Sequence, residues 1–296
     1  MTSHPILSGQ FKPEYYLGSH IPSWLATSPV PLFISHRRLA GRRTLPRART
    51  NWALDSGGFS ELSLYGGWRT SPQEYIAAVK RYDIEIGNLS FAAPQDLMCE
   101  ASMIARTGLS VVEHQRRTVA NFVQLQRMWE DDPNPDREEL PIHPVLQGYS
   151  ADSYLQCWDM YGEAGIDLGQ YPVVGLGSVC RRESTSEVGD ILDAILDRDP
   201  DLPIHLYGVK LDVLRRYGSR ISSCDTLAWS FTARRNPGIA GHTHRSCSNC
   251  REYAMRWRRK IVPTRCDTDH GPECDGTDIC RFGGPSGTYG LDCRSA

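Results

Sequence analysis

The chain lacks any run of about 20 apolar residues, the length a helix needs to cross a bilayer. Its first residues, Met1 to Gln10, also lack a basic flank followed by an apolar stretch. The expectation is therefore a cytoplasmic protein with neither leader nor membrane anchor. A strong net charge is missing too. The 33 Lys and Arg against 35 Asp and Glu leave a formal −2, which does not advertise nucleic-acid binding. Global disorder is excluded, because 40% of the 296 residues are hydrophobic, enough to bury a large core.

Ten cysteines are present, but not in the pattern of a disulfide framework. Cys99, Cys157, Cys180 and Cys224 are scattered singly, while the other six crowd toward the end of the chain. That distribution fits a metal site in a reducing compartment better than a disulfide scaffold. The basic residues are clustered as well. Arg37, Arg38, Arg42, Arg43, Arg47 and Arg49 lie between His36 and Thr50 with no acid among them, and a second run extends from Arg234 to Arg265 against Glu252 alone. Such patches suit either a phosphate track or a solvated surface.

Short apolar runs alternate with amphipathic segments from Val30 onward, the pattern of repeated βα units. Seven strands are expected, at Pro31–Ile34, Asn51–Leu54, Leu89–Ala93, Ile142–Leu146, Pro172–Leu176, Ile204–Tyr207 and Arg220–Cys224. Ser71-Pro72-Gln73-Glu74 and the Ser110/Glu113 pair read as capping boxes opening helices, the second helix ending near Trp129. Seven strands approach the eight of a TIM-like (β/α)8 barrel, with one more irregular or hidden in the first thirty residues. An open doubly wound sheet is the alternative. Asp131 to Asp136, with its two prolines, reads as a surface loop, and Cys266 to Ala296 as a loosely ordered tail. The expected organisation is a barrel over 1–235, a small zinc-binding and basic helical extension over 236–265, and a Cys/Gly-rich tail over 266–296.

A polar or glycine-rich cluster recurs where six of the seven expected strands end: Asp55-Ser56-Gly57-Gly58-Phe59, Pro94-Gln95-Asp96, Gln147-Gly148, Gly175-Leu176-Gly177, Tyr207-Gly208 and Cys224-Asp225-Thr226. Ligands bind at the carboxyl ends of parallel strands, so six such loops point to one assembled site and to an enzyme. Asp55, Asp96 and Asp225 could serve as nucleophile, proton carrier and base-recognition group, or could hold magnesium. Phe59 offers a stacking face, and the Gln147 amide can donate and accept at once.

Farther on, His242-x-His244-x2-Cys247-x2-Cys250 has the compact spacing of a structural zinc site. Cys250, Cys266 and His270 remain open as its fourth ligand. Cys274, Cys280 and Cys293 follow at irregular intervals that give only weak support for a second metal. The segment from Cys250 to Lys260 puts Tyr253 and Trp257 on one helix face with Arg251, Arg258 and Arg259 elsewhere, a candidate grip on backbone phosphates or a buried helix with a solvated charged face.

Taken in order, these pieces resemble the tRNA-guanine transglycosylase superfamily, and more closely its DNA-modifying branch, the DpdA-type deazapurine transglycosylases. The resemblance runs from Asp55-Ser-Gly-Gly-Phe59 through Asp96, Val145-Leu-Gln147-Gly148, Val174-Gly175-Leu176 and Leu206-Tyr207-Gly208-Val209. It ends at Asp225 with Trp229-Ser230 and Ala233-Arg234-Arg235. It implies exchange of guanine in DNA, or alternatively in tRNA, for a 7-deazaguanine base. Asp225 would be the nucleophile and Asp55 the general acid/base. Asp96 and Gln147, with Ser56, Gly148 and the backbone of Gly175 and Leu176, would bind the base, and Phe59 and Tyr207 would hold its ring. Arg234, Arg235, Arg251, Arg258 and Arg259 would meet the nucleic acid. The superfamily's zinc motif begins Cys-x-Cys, so histidines at 242 and 244 depart from it. The branch also implies a bacterial or phage-infected cell and leaves a homodimer or partner subunit open. A metal-dependent hydrolase using the three acids, and a nucleic-acid-binding subunit without chemistry, are the competing classes.

Overall fold

The protein is described from a computed structural model covering residues 13–132, 139–180, 182 and 184–262. The expected tail, with Cys266, His270 and the later cysteines, and most of the loop at 131–136 lie outside the described residues.

Eight parallel strands form one sheet: β1 (Glu14–Ser19), β2 (Leu32–Ser35), β3 (Trp52–Asp55), β4 (Leu89–Ala92), β5 (Val145–Leu146), β6 (Val174–Leu176), β7 (Ile204–Leu206) and β8 (Ser223–Thr226). Their order is β4-β3-β2-β1-β8-β7-β6-β5. Its ends meet, among the described residues, through one bridge between Ala92 and Ile142. Ala92 N donates to Pro141 O at 2.8 Å, and His143 N to Ala92 O at 3.0 Å. The sheet is thus curled and TIM-like, and an open doubly wound arrangement is set aside.

The helices follow the strands. α1 (His36–Leu39) is a single turn after β2, α2 (Gly58–Tyr65) and α3 (Pro72–Glu85) follow β3, and α4 (Ala101–Thr107) and α5 (Val111–Glu130) follow β4. α6 (Ala151–Glu163), α7 (Thr185–Arg198), α8 (Leu211–Tyr217) and α9 (Ala228–Arg235) follow β5 to β8, and α10 (Arg251–Arg259) ends the described chain.

The expected strand missing from the count is β1, within the first thirty residues. It pairs with β2 on one side and β8 on the other, Tyr16 opposite Asp225. All seven expected strands shift by one to three residues at an end, and the two starts that shift by three have local causes. β5 begins at Val145 rather than Ile142 because Pro144 has no N–H to donate to a ladder. β8 begins at Ser223 because Gly218–Arg220 forms a 3-10 turn, so Asp225 lies within the strand. The box at Ser71 is complete: Glu74 N donates to Ser71 Oγ at 3.2 Å, and Ser71 N to Glu74 Oε2 at 2.8 Å. At Ser110 only the first half forms, because Glu113 turns instead to Arg117, 2.7 Å away.

Side-chain alternation along the strands divides the core. Tyr15, Leu17, Leu32, Ile34, Trp52, Leu54 and Leu89 join the helices in the large cluster, with Tyr75 and Val79 of α3, Phe122 and Leu125 of α5, and Ile191 and Ile195 of α7. The intervening Tyr16, Phe33, Ala53 and Phe91 form a second cluster with Val173 and Tyr207, lining the inside of the curl. His205 completes this floor, stacked 5.6 Å from Phe33 and edge-on to Tyr207 at 4.7 Å. Among the described residues no helix is long and apolar enough to cross a membrane.

The β1–β8 seam is tight at Gly18. A Cβ there would lie 2.7 Å from Thr226 O and 3.0 Å from Leu227 N, both backbone atoms that cannot rotate away. Gly18→Ala is expected to cost about 1–3 kcal/mol, as overpacking does. The measurement is urea unfolding, where the midpoint should fall at unchanged slope.

Candidate active site

The same alternation that turns Ala53 inward turns Asp55 inward two residues later, at the carboxyl end of β3. In β8 it does so for Asp225, in β7 for His205 and just beyond it for Tyr207, and beyond β5 for Gln147. A cavity of about 740 Å³ opens there. Its walls include Asp55, Ser56, Phe59, Asp96, Gln147, Tyr207 and Asp225. The structure therefore brings together residues separated by 170 positions of sequence.

Each acid is held differently. Asp55 Oδ1 accepts from Gly57 N at 3.1 Å, and the turn needed for that bond puts Gly57 at φ +84°, which favours glycine. Burial pushes the Asp55 carboxyl above its ordinary value; the Gly57 and Ser35 hydrogen bonds oppose the rise and the Asp225 charge adds to it. Asp225 Oδ1 accepts from Gly208 N at 2.9 Å, and His205 Nε2 lies 3.4 Å away. Asp96 sits on the loop after β4, which donors from neighbouring elements pin. Tyr75 OH reaches Ala93 O at 2.5 Å, Asn121 Nδ2 reaches Gln95 O at 2.6 Å, and Trp68 Nε1 reaches Asp96 O at 3.2 Å. Gln147 Nε2 donates to Asp96 Oδ2 at 2.5 Å. Burial raises the Asp96 carboxyl to about 7; the Gln147 bond works against the rise, and the Asp55 and Glu100 charges reinforce it.

Three expected base-binding residues are not in the cavity wall. Leu176 faces the helices, as its place in the alternation requires. Gly175 lies beneath Tyr207, whose Cε2 would be 2.4 Å from an added Cβ, so its role is to seat that ring. Gly148 packs against Ser153 and Tyr154. The wall is made instead by Gly177 and Ser178, next along the same loop, together with Glu100, Cys180, His20, Arg37 and Arg38. The sequence held signals for some of these: Ser178 completes the Gly175-Leu176-Gly177 cluster, Glu100 follows Asp96 by four residues, and Arg37 and Arg38 open the first basic patch. Nothing comparable marked His20.

The expected arginines divide. Arg234 lines the cavity, and Arg235 lies 3.7 Å over the ring of exposed Phe231. Arg251, Arg258 and Arg259 are half-buried, with part of each side chain turned to the protein. Arg251 Nη1 donates to Thr27 Oγ1 at 3.1 Å, and Arg258 stacks over Tyr15 at 5.7 Å. The reason is the helix phase: with Ala254 and Trp257 buried, the exposed positions are Glu252 and Arg256 of α10 and Lys260 just after it.

Beyond α9, His242, His244, Cys247 and Cys250 converge with one ligand atom each, all within 4.8 Å of one another. His244 Nε2 is 3.1 Å from Cys247 Sγ and 3.3 Å from His242 Nδ1, which is 3.6 Å from Cys250 Sγ. These spacings are close to the edges of a tetrahedron with ligand distances of about 2.0–2.3 Å, so the cluster fits a metal ion. His242 Nε2 pairs with Glu252 at 2.9 Å, the outer contact that fixes a ligating imidazole. Among the described residues, Asp55, Asp96 and Asp225 do not converge with other donors in this way.

A TIM-like sheet whose strand ends aim carboxylates, an amide and aromatic rings into one cavity defines a barrel-type enzyme site. The sequence matches the family model DpdA, DeoxyPurine in DNA protein A, over residues 11–282, and the chain belongs to that family. Membership supports a DNA-modifying transglycosylase. Comparison with curated proteins gives no match.

The elevated Asp96 carboxyl has a consequence for stability. The unfolded chain releases this proton near the ordinary 3.8 and the fold releases it near 7, so the folded state binds more protons between those values. Stability from this group is full below the lower value and lost as pH rises to about 7. Asp96→Asn removes the dependence. Its advantage in unfolding free energy over the wild type should grow by on the order of 2 kcal/mol from pH 5 to pH 8.

Proposed function

We propose that the protein exchanges guanine in DNA for a 7-deazaguanine such as 7-cyano-7-deazaguanine, through a covalent aspartyl-sugar intermediate. The observation that carries this reading is the gathering of Asp55, Asp96, Asp225, Gln147, Phe59 and Tyr207 around one cavity. A carboxylate of Asp225 attacks the sugar C1′ as the bond to guanine N9 breaks. The bonding pair leaves with the base, which takes a proton from Asp55. The incoming base then returns its N9 proton to Asp55, its nitrogen bonds to C1′, and Asp225 departs. Developing oxocarbenium charge is stabilised by the adjacent carboxylate, as in retaining glycosidases. Asp55 suits the proton role because burial keeps its proton affinity raised. Asp96 and Gln147 read the base edge, with Ser56 beside them, and Phe59 and Tyr207 flank the ring.

A base inside a duplex cannot reach such a site, so the nucleotide must leave the stack. What supports this at the mouth is the exposure of Leu227 on the turn after Asp225 and of Phe231 within α9, with Arg234, Arg37 and Arg38 in the cavity wall and Arg235 over the Phe231 ring to take phosphates. DNA is favoured over tRNA by the family alone. In the extension that follows the barrel, described over residues 236–262, a structural zinc on His242, His244, Cys247 and Cys250 joins the chain before α10 to the start of that helix. The reading places the protein in the cytoplasm of a bacterial or phage-infected cell.

The test is incubation of purified protein with guanine-containing DNA or tRNA and 7-cyano-7-deazaguanine, followed by nucleoside mass spectrometry. Incorporation into DNA is expected, and Asp225→Asn should abolish it while retaining DNA binding. Incorporation into tRNA alone would overturn the choice of polymer, and none in either would return weight to a binding role. Plasma mass spectrometry of the metal content should give one zinc per chain, lost in Cys247→Ser. Another metal, or none, would overturn the zinc assignment.

A further inference from the structure

An amide that reads a base is useful only if it cannot turn over, because one end donates and the other accepts. Gln147 lies on a surface without a side chain: a Cβ at Gly177 would be 2.2 Å from its Nε2. Gln115 Nε2 donates to the Gln147 backbone carbonyl at 2.9 Å, which fixes the main chain but not the amide. The amide's oxygen is engaged by Ser178, whose Oγ donates to Gln147 Oε1 at 2.6 Å. That hydroxyl is itself oriented. It accepts from Cys99 N at 2.7 Å and stands 3.2 Å from Glu100 Oε2, so its single proton is contested by two acceptors, and Gln147 is the nearer.

Ser178 is buried and adopts φ +56°, a left-handed conformation that non-glycine residues largely avoid. Glycine would be at ease there, and Gly177 precedes it. A strained residue whose hydroxyl meets a backbone amide, a carboxylate and an amide oxygen points to a use for the hydroxyl.

We infer that Ser178 is a positioning residue that sets the polarity with which the site reads a base. By occupying Oε1 it holds the amide so that Nε2 faces Asp96, and the Asp96 carboxylate and the remaining Gln147 N–H are then turned to the cavity as acceptor beside donor. That pair complements a purine edge carrying a 6-oxo acceptor next to ring and amino donors. It opposes a 6-amino edge, which would set donor against donor. The inference rests on the reading above, in which Asp96 and Gln147 receive the base.

The experiment compares kcat and KM for incorporation of 7-cyano-7-deazaguanine and of its 6-amino counterpart, 7-cyano-7-deaza-2,6-diaminopurine, into guanine-containing DNA. Wild type should strongly prefer the 6-oxo base. Ser178→Gly keeps the backbone conformation and deletes only the hydroxyl, and it should reduce that preference by about tenfold or more, the worth of one buried hydrogen bond. The change should appear chiefly as a higher KM for the 6-oxo base. Ser178→Ala, which also lacks the hydroxyl, should lose the same ratio. A preference retained by Ser178→Gly overturns the inference, as does a loss confined to Ser178→Ala, which would trace the effect to the backbone. A wild type that incorporates neither base overturns the underlying reading instead, and this one with it.

Discussion

Carboxylates taken out of water raise one another's affinity for protons, and a protein that gathers several must hold them in place against both desolvation and repulsion. Much of this structure near the cavity serves that constraint. Gly57 and Gly208 give backbone N–H groups to Asp55 and Asp225, and the Gln147 amide supports Asp96. Below them lies an apolar and aromatic floor of Phe33, Phe91, Tyr16 and His205, which keeps the acids dry from one side. In this setting burial raises the proton affinity of both Asp55 and Asp96.

The sequence revealed the alternation of strands and helices, the acids at the strand ends and the His/Cys cluster, because each is a local pattern. Asp55, Gln147 and Tyr207 could be assigned to one site on the rule that ligands meet the carboxyl ends of parallel strands. What stayed hidden was non-local. β1 is polar at its start and reads poorly as a strand, yet it closes the gap between β2 and β8. The resemblance puts the backbone of Gly175 and Leu176 at the base, whereas parity along β6 turns the Leu176 side chain outward and sets Gly175 beneath Tyr207, so neither residue lines the cavity. The burial of Arg258 against Tyr15 depends on a contact between residues more than 200 positions apart, which no helical wheel reports.

The helix α10 belongs to the same core as the strands rather than to a core of its own. Ala254, Trp257 and Ile261 are part of the cluster that contains Tyr15 and Leu17, and Arg251 holds the chain at Thr27. The His/Cys cluster stands at the start of this helix and just beyond the end of α9, whose Trp229 donates to Gly18 O at 2.8 Å. An ion there would hold one more point of a frame that already joins both ends of the described chain.

The bridge between Ala92 and Ile142 gives the sheet its thinnest join, and the two residues expected to grip the base lie on opposite banks of it: Asp96 beyond β4 and Gln147 beyond β5. A base held by both would act as a clasp across that join. Filling the cavity and fastening the curl then become a single equilibrium, so that ligand affinity and the cohesion of the scaffold rise or fall together.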